Sequence, residues 1–488
     1  MTKTILSKLF QSTTIFRRKS PLVFLCTFLL SLVVYYVTLL PEVDFGDSAE
    51  LSMQAYQLGV THPPGYPVHT ILGKILGLVL SDSAIATNFL SALCTSLTVG
   101  LMSIMILGLT NNLYGALLVP LIFAFSPRVW SMAVTTEVYN VNILFLALSI
   151  YFFLHWYKKS SRVALFTAAT FFGISLGTYL ANAILFPAFV FLLFKKERWR
   201  LTQLLIFNFI VLTLGISILS FSYIRSDILP PIGTEFIPQS LLDSLRYFSG
   251  QQYDTTSISD VKFFLERIIL HAWIFSKNFL FVAIGFGLIG IVSLWRSQRD
   301  TAYFFLIFLA INLGYFTFYN AIDFYFMVTP SYFVFSLFIA YGFGAIWTKL
   351  VRFRLLSIAL LFLICILNLG IQFHQRIERA QSYKVTNFVL SSFRAFPPNA
   401  VVISHWDHFT SFLYFQKTRN LRPDCILIER TNQRRYYEQG IVDSSISYLY
   451  SQISLRPVVI DEVSSELRFR FKVTPLDKYW FLITPLIE

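Results

Sequence analysis

Charge is scarce in this 488-residue chain. Asp, Glu, Lys and Arg together make up 13% of it, about half the share usual in a soluble domain. The shortage is uneven, and long stretches carry no charge at all, which excludes a water-soluble globule of this length. Cysteine is also sparse. Cys26, Cys94 and Cys365 lie within apolar runs and Cys425 stands alone, so neither a disulfide framework nor a metal spacing is available. The sequence shows no internal repeat and no low-complexity tract. The N-terminus lacks the short apolar core and small-residue cleavage site of a secretory signal. Lys3, Lys8, Arg17, Arg18 and Lys19 instead precede an apolar run over 21–40, which reads as a retained first helix.

What is abundant is hydrophobic: 56% of residues, among them 52 Phe. Runs of about 17–25 apolar residues match a helix crossing about 30 Å of hydrocarbon. The pattern predicts about eleven such helices, at 21–40, 84–109, 113–126, 141–157, 163–178, 180–194, 202–223, 268–294, 301–320, 325–347 and 355–371. The net charge of +13 does not point to nucleic acid, because the basic residues form short clusters between apolar runs. With a cytoplasmic N-terminus, one side receives Lys158, Lys159 and Arg162; Lys195, Lys196, Arg198 and Arg200; Arg296 and Arg299; and Lys349, Arg352 and Arg354. The opposite short loops hold little beyond Arg128, as the cytoplasmic bias of Lys and Arg requires. The fold class expected is an α-helical polytopic membrane protein with a small C-terminal α/β extracytoplasmic domain. Residues 1–20 form a cytoplasmic segment, 21–371 the transmembrane domain with its first loop at 41–83, and 372–488 the soluble domain. Strand-like stretches at 400–403 and 425–429, with turns at Pro397-Pro398 and Arg456-Pro457, support the last assignment.

The first loop is the most informative. Asp47 and Glu50 are three apart at the start of a helical pattern and share a face. Gln54 and Gln57 continue that face while Leu51, Ala55 and Leu58 form an apolar one, which predicts a helix lying along the membrane surface. The same spacing also fits a capping box that only satisfies backbone N–H groups. Asp44 reads as a solvated loop acid. His62-Pro63-Pro64-Gly65-Tyr66-Pro67 follows, and its prolines predict a stiff, extended segment in which Gly65 permits a left-handed turn or close approach. Such a loop beside two acids suits a substrate site, or a linker between surface helices.

Further on, Glu137 lies at the start of a span, where an acid needs a polar cavity or a partner. Arg128 can be that partner or can hold a lipid phosphate. Asp323 sits between aromatic-rich helices, and Asp227, Arg225 and Arg246 in a long loop are further lipid-phosphate candidates or ordinary loop charges. In the C-terminal region His405-Trp406-Asp407-His408 reads as an ordinary turn rather than a metal cluster, because sequence neighbours rarely converge on one ion. Arg434-Arg435-Tyr436-Tyr437 reads as a solvated surface.

The stretch GDSAELSMQAYQLGVTHPPGYPVHTILGKI resembles the N-terminal signature of the transmembrane protein 260 type of protein O-mannosyltransferases and their bacterial relatives, with Ala49 in place of the usual Gly. Ser126-Pro127, Trp130 and Ala133 through Glu137-Val138-Tyr139 are similar to the family's next motif. Gly173 to Gly177 resemble its Gly-rich helix, although Thr178-Tyr179 replaces the polar pair after it. Asp407 to Gln416 and Arg422-Pro423-Asp424 are similar to a weakened tail motif. The resemblance is strong over 41–190. It implies a GT-C type glycosyltransferase that takes a sugar, with mannose the family's example, from a polyprenyl-phosphate donor on the non-cytoplasmic face and inverts the anomeric carbon. The acceptor is a hydroxyl on a protein, lipid or glycan. A carboxylate can act as base for it, and a phosphate leaving group needs positive donors. Asp47 then becomes the base, with Glu50 and Glu137 orienting the acceptor. His62, Pro63, Gly65, Tyr66 and Tyr139 shape the pocket, and Arg128 holds donor phosphate. No metal ligand set is assigned, although a divalent cation at these acids is left open. The membrane is read as a bacterial inner membrane. The alternative class is a multi-spanning transporter or lipid flippase, for which internal repeats and helices broken at mid-membrane are the expected signs. Accessibility labelling tests the orientation: Asp47→Cys is expected to react with an impermeant thiol reagent from outside intact cells.

Overall fold

The computed structural model describes residues 2–196, 201–226, 228–229, 240, 242, 261–319, 323–430, 452–453 and 455–486, with side chains from residue 19 onward. Arg198, Arg200, Asp227, Arg246 and Arg434 to Tyr437, named above, lie outside these residues.

The helices run α1 (Thr2–Val37), α2 (Asp47–Gln57), α3 (Pro67–Leu80), α4 (Ser83–Thr110), α5 (Leu113–Ala124), α6 (Pro127–Ala133), α7 (Val138–Lys159), α8 (Arg162–Leu176), α9 (Phe186–Lys195), α10 (Leu201–Ser226), α11 (Val261–Ser297), α12 (Arg299–Phe318), α13 (Phe324–Met327), α14 (Thr329–Lys349), α15 (Arg354–Ala380), α16 (Lys384–Ala395), α17 (Trp406–Arg419) and α18 (Ser465–Arg470). Eight helices among the described residues are long and apolar enough to cross a membrane, or nine if α5 and α6, which pass the same test only together and are bent by 70°, count as one span. The bend falls at Ser126-Pro127, where proline forces the preceding residue out of the helical region. α8 and the stretch Leu180–Lys195 are shorter apolar helices. Each predicted run thus has a helical counterpart, and the chain is an integral multi-pass membrane protein. The long spans are recognisable because unbroken apolar sequence leaves the backbone no partner but itself.

Two local expectations fail. α2 does not leave its apolar face exposed, as a helix resting on lipid would. Residues Ser48 to Ala55 are all buried, because α2 is enclosed by α3, α4 and α17. The segment 62–67 is not extended either. Gly65, with φ +77°, donates its N–H to the His62 carbonyl at 2.8 Å and closes a turn from which α3 starts at Pro67. α3 itself, part of the presumed loop, is a short apolar helix.

The C-terminal region forms a mixed five-stranded sheet of order β2-β1-β3-β5-β4, from β1 (Val401–Ser404), β2 (Ile426–Glu429), β3 (Val458–Ile460), β4 (Phe471–Pro475) and β5 (Phe481–Pro485). β1 pairs in parallel with β2 and β3, and β5 pairs antiparallel with β3 and β4. Helices α16 and α17 cover it with an apolar layer that includes Phe393, Phe412 and Trp480, and Val43, Ala49 and Met53 of the first loop and α2 belong to the same layer. Glu42, 3% exposed, secures the junction. Its carboxylate accepts from the Val385 and Thr386 N–H groups, both at 2.8 Å, and so binds the free donors at the start of α16. Asp44, read as solvated, pairs with Arg379 of α15. Removing a charged acceptor from buried donors typically costs about 1.5–3 kcal/mol. Glu42→Ala is therefore expected to lower the melting temperature of the detergent-purified protein; an unchanged melting curve argues against this junction.

Candidate active site

The site begins with a short linker between α1 and α2. Asn88 of α4 donates to the Leu40 and Glu42 carbonyls at 2.9 and 2.8 Å, which fixes where the chain leaves the first span. The Asn88 side-chain oxygen accepts from Thr136, and Thr136, Thr87 and Ser52 form a closed hydroxyl triangle with distances of 2.7–3.2 Å. Buried polar groups cost free energy unless paired. This network therefore sets α2, α4 and the α6–α7 turn in one relation, and with them Asp47, Glu50 and Glu137.

Glu50 is fully buried. It does not cap α2: the N-cap is Gly46, with φ 73° and no side-chain cap. Instead its carboxylate accepts from the His62 N–H at 2.6 Å and bonds the His62 ring at Nδ1. Nε2 of the same ring faces Asp47 Oδ2 at 3.9 Å. Asp47, with 46% of its side chain exposed, is the solvent-reachable end of this chain of groups. Tyr66 packs edge-on against His62 at 5.4 Å. Pro63 lies within the turn that carries the imidazole back over α2.

Burial pushes the Glu50 carboxyl up, while the adjacent imidazole counteracts it. Burial also disfavours charge on His62, but Glu50 and then Asp47 outweigh it and push the imidazole up to about 10. With two carboxylates facing one ring, the neutral-pH form is an imidazolium held between carboxylates. Burial pushes Glu137 well above the ordinary carboxylate range, and repulsion from Asp47 and Asp323 adds to it. Asp323 is raised by burial against the lowering effect of the Tyr139 hydroxyl, which donates to it at 2.9 Å. Asp47, Glu50 and His62 offer ligand atoms within 4.8 Å of one another. Glu50 is hydrogen-bonded to one ring nitrogen of His62, while Asp47 faces the other at 3.9 Å, an ion-pair distance without a hydrogen bond.

The structure thus brings Asp47, Glu50, His62, Pro63, Gly65 and Tyr66 together, with Glu137 and Asp323 in electrostatic reach. Tyr139 joins through Asp323. Arg128 does not pair with Glu137. Its guanidinium stacks on the Tyr325 ring at 4.0 Å, and its N–H is held by Asn278 at 3.2 Å, with no carboxylate at ion-pair distance among the described residues. Arg376 of α15 lies alongside and donates to Ser131 and the Pro127 carbonyl of α6. The 405–408 stretch is more than an ordinary turn. It opens α17 against the site, and the Trp406 indole N–H donates to Asp47 Oδ1 at 2.7 Å. No local pattern signals that contact, because the two residues are 359 positions apart.

The folded-state pKa of His62 is raised above 6.5, to about 10. Its contribution to stability is therefore fully present below about pH 6.5 and is lost as pH rises through about 10. The melting-temperature gap between wild type and His62→Gln is expected to narrow across that window; a pH-independent gap would refute the charged pair.

Residues 47–203 match the family described as the Protein O-mannosyl-transferase TMEM260 N-terminal domain, a span that contains every residue proposed from the sequence for the site. Among individual proteins, Protein O-mannosyl-transferase tmem260 of Dictyostelium discoideum is 31% identical over 131 residues, 26% of this chain and 16% of that protein. Mouse Protein O-mannosyl-transferase TMEM260 is 28% identical over 182 residues, 35% of this chain and 26% of the relative. The matched stretch thus spans about a quarter or less of these relatives. Among solved structures, ArnT from Cupriavidus metallidurans in the apo state superposes with a TM-score of 0.62 at 12% identity, covering 95% of this chain and 97% of that one. ArnT bound to undecaprenyl phosphate gives 0.61 with the same identity and coverage. The chain accordingly resembles the TMEM260-type protein O-mannosyltransferases over residues 47–203 and has the GT-C fold of ArnT over nearly its whole length.

Proposed function

We propose that this protein is a membrane glycosyltransferase that moves a sugar, mannose in the leading form of the reading, from a polyprenyl-phosphate donor to a hydroxyl acceptor on the non-cytoplasmic face. The observation that carries the proposal is the Asp47 carboxylate. It is half exposed at the start of α2, ten residues after the first apolar helix, backed by the His62–Glu50 pair, and set within a fold shared with a protein solved with undecaprenyl phosphate bound.

In this scheme the acceptor hydroxyl oxygen attacks the anomeric carbon as the bond from that carbon to the phosphate oxygen breaks. The bonding pair leaves with the polyprenyl phosphate, the hydroxyl proton passes to Asp47, and the anomeric configuration inverts. A positioned carboxylate base typically supplies about 10²–10⁴-fold. The imidazolium of His62 faces Asp47, and Glu50 holds the imidazole in place. Glu137 and Asp323, raised by burial, donate hydrogen bonds to sugar hydroxyls more readily than ionised carboxylates do. Tyr66 and Tyr139 wall the sugar site. Arg128, free of any carboxylate among the described residues, is the phosphate partner. The N-terminus is cytoplasmic in this reading, and the site and C-terminal domain face the periplasm of a bacterial inner membrane. The acceptor is a protein, a lipid or a glycan.

The test is release of polyprenyl phosphate, and transfer of sugar to membrane glycoconjugates, from polyprenyl phosphomannose in vesicles containing the protein. Asp47→Asn is expected to lose at least about a hundredfold in rate while remaining inserted and folded. Full activity in that variant removes Asp47 from the mechanism, and a wild-type protein that moves lipid without cleaving the sugar–phosphate bond points to a flippase.

A further inference from the structure

The C-terminal domain does more than cover the site. Its helix α17 begins at Trp406, and the indole is placed by two sets of contacts. One is with the linker before α2: the Thr410 hydroxyl donates to the Gly46 carbonyl at 2.9 Å. The other is with the site: the indole meets the His62 ring edge-on at 5.9 Å and its N–H reaches Asp47 Oδ1 at 2.7 Å. Gly46 makes the approach feasible. Its φ of +73° is one that side-chain-bearing residues rarely adopt, and a Cβ there would stand 2.7 Å from Asp407 Oδ1. The linker is held to this domain again by Glu42 at the start of α16 and by Asp44 through Arg379 of α15.

We infer that Trp406 is a positioning residue of the transferase site, its indole N–H fixing one oxygen of Asp47 so that the other is presented to the acceptor. This rests on the transferase reading above. The consequence is geometric. An aspartate side chain with 46% exposure is free to rotate unless one oxygen is anchored, and loose placement of a reacting group sharply reduces rate. With Oδ1 bound by the indole, Oδ2, the oxygen nearest His62 Nε2, is left to take the proton. The acceptor therefore enters between His62 and the start of α17. The extracytoplasmic domain is then an integral part of the catalytic apparatus, and its docking determines whether the base is aligned.

Trp406→Phe removes the N–H and keeps an aromatic ring against Phe409 and His62. In the polyprenyl phosphomannose assay we expect kcat to fall about tenfold to a hundredfold, the range for one hydrogen bond to a charged group, with KM for the donor little changed. The melting temperatures of Trp406→Phe, Asp47→Ala and the double variant form a cycle in which the two shifts are expected to be less than additive. Wild-type kcat in Trp406→Phe overturns the inference. So does a loss of activity accompanied by additive melting shifts, which marks a packing role alone. If the wild-type protein transfers no sugar, the transferase reading fails and the positioning role falls with it, while the melting cycle still decides whether the bond between the two residues exists.

Discussion

A carboxylate with no exposure to water has to be paired, and in this protein that requirement shapes the whole site. Glu50 is fully buried in α2, and its partner is His62, which donates from both its backbone and its ring. To deliver that partner, the chain after α2 turns back at Pro63–Gly65 and begins α3 immediately afterwards. The same imidazole, charged because it stands between two acids, faces Asp47. One pairing thus explains the turn, the proximity of α2 and α3, and the electrostatic setting of the exposed acid. Leaving a buried charge unpaired generally costs several kcal/mol, so the turn and the pair stand or fall together.

The second constraint is the join between the apolar helices and the C-terminal sheet region. Six residues between Pro41 and Gly46 supply Glu42 to α16, Asp44 to α15 and the Gly46 carbonyl to α17. Val43, Ala49 and Met53 continue the apolar layer beneath the sheet. α2 is therefore not a surface helix that later meets a soluble domain. It is the shared core element of both parts, which is why Ser48 to Ala55 are buried on both faces while Asp47 at its start stays half exposed. The amphipathic pattern is real, but its polar residues meet internal partners instead of lipid headgroups.

The long apolar spans were legible because the requirement that backbone groups in hydrocarbon bond within their own helix leaves few alternatives. The strands at 401–404 and 426–429 were legible for a similar reason, as short β-branched runs bounded by turns. Asp47, Glu50 and His62 could be singled out because acids and a proline-rich loop beside a span are unusual. The form of the loop follows Gly65 rather than the prolines: proline counts predict an extended segment, whereas Gly65 at positive φ and the bond from His62 to Glu50 set a turn. The pairing of Glu137 with Arg128 was a matter of sequence proximity alone, and stacking on Tyr325 takes precedence in the structure.

By itself the sequence determined that the chain lives in a membrane, where its helices run, and which acids deserve notice, since hydropathy and residue chemistry are local properties. Which partner each acid meets was decided only by the tertiary structure. Trp406 on Asp47, Thr386 on Glu42 and Tyr139 on Asp323 are contacts between segments 184 to 359 residues apart, and no local periodicity encodes them. They exist because burying each polar group demands a complementary one, and only the packed fold brings such pairs together.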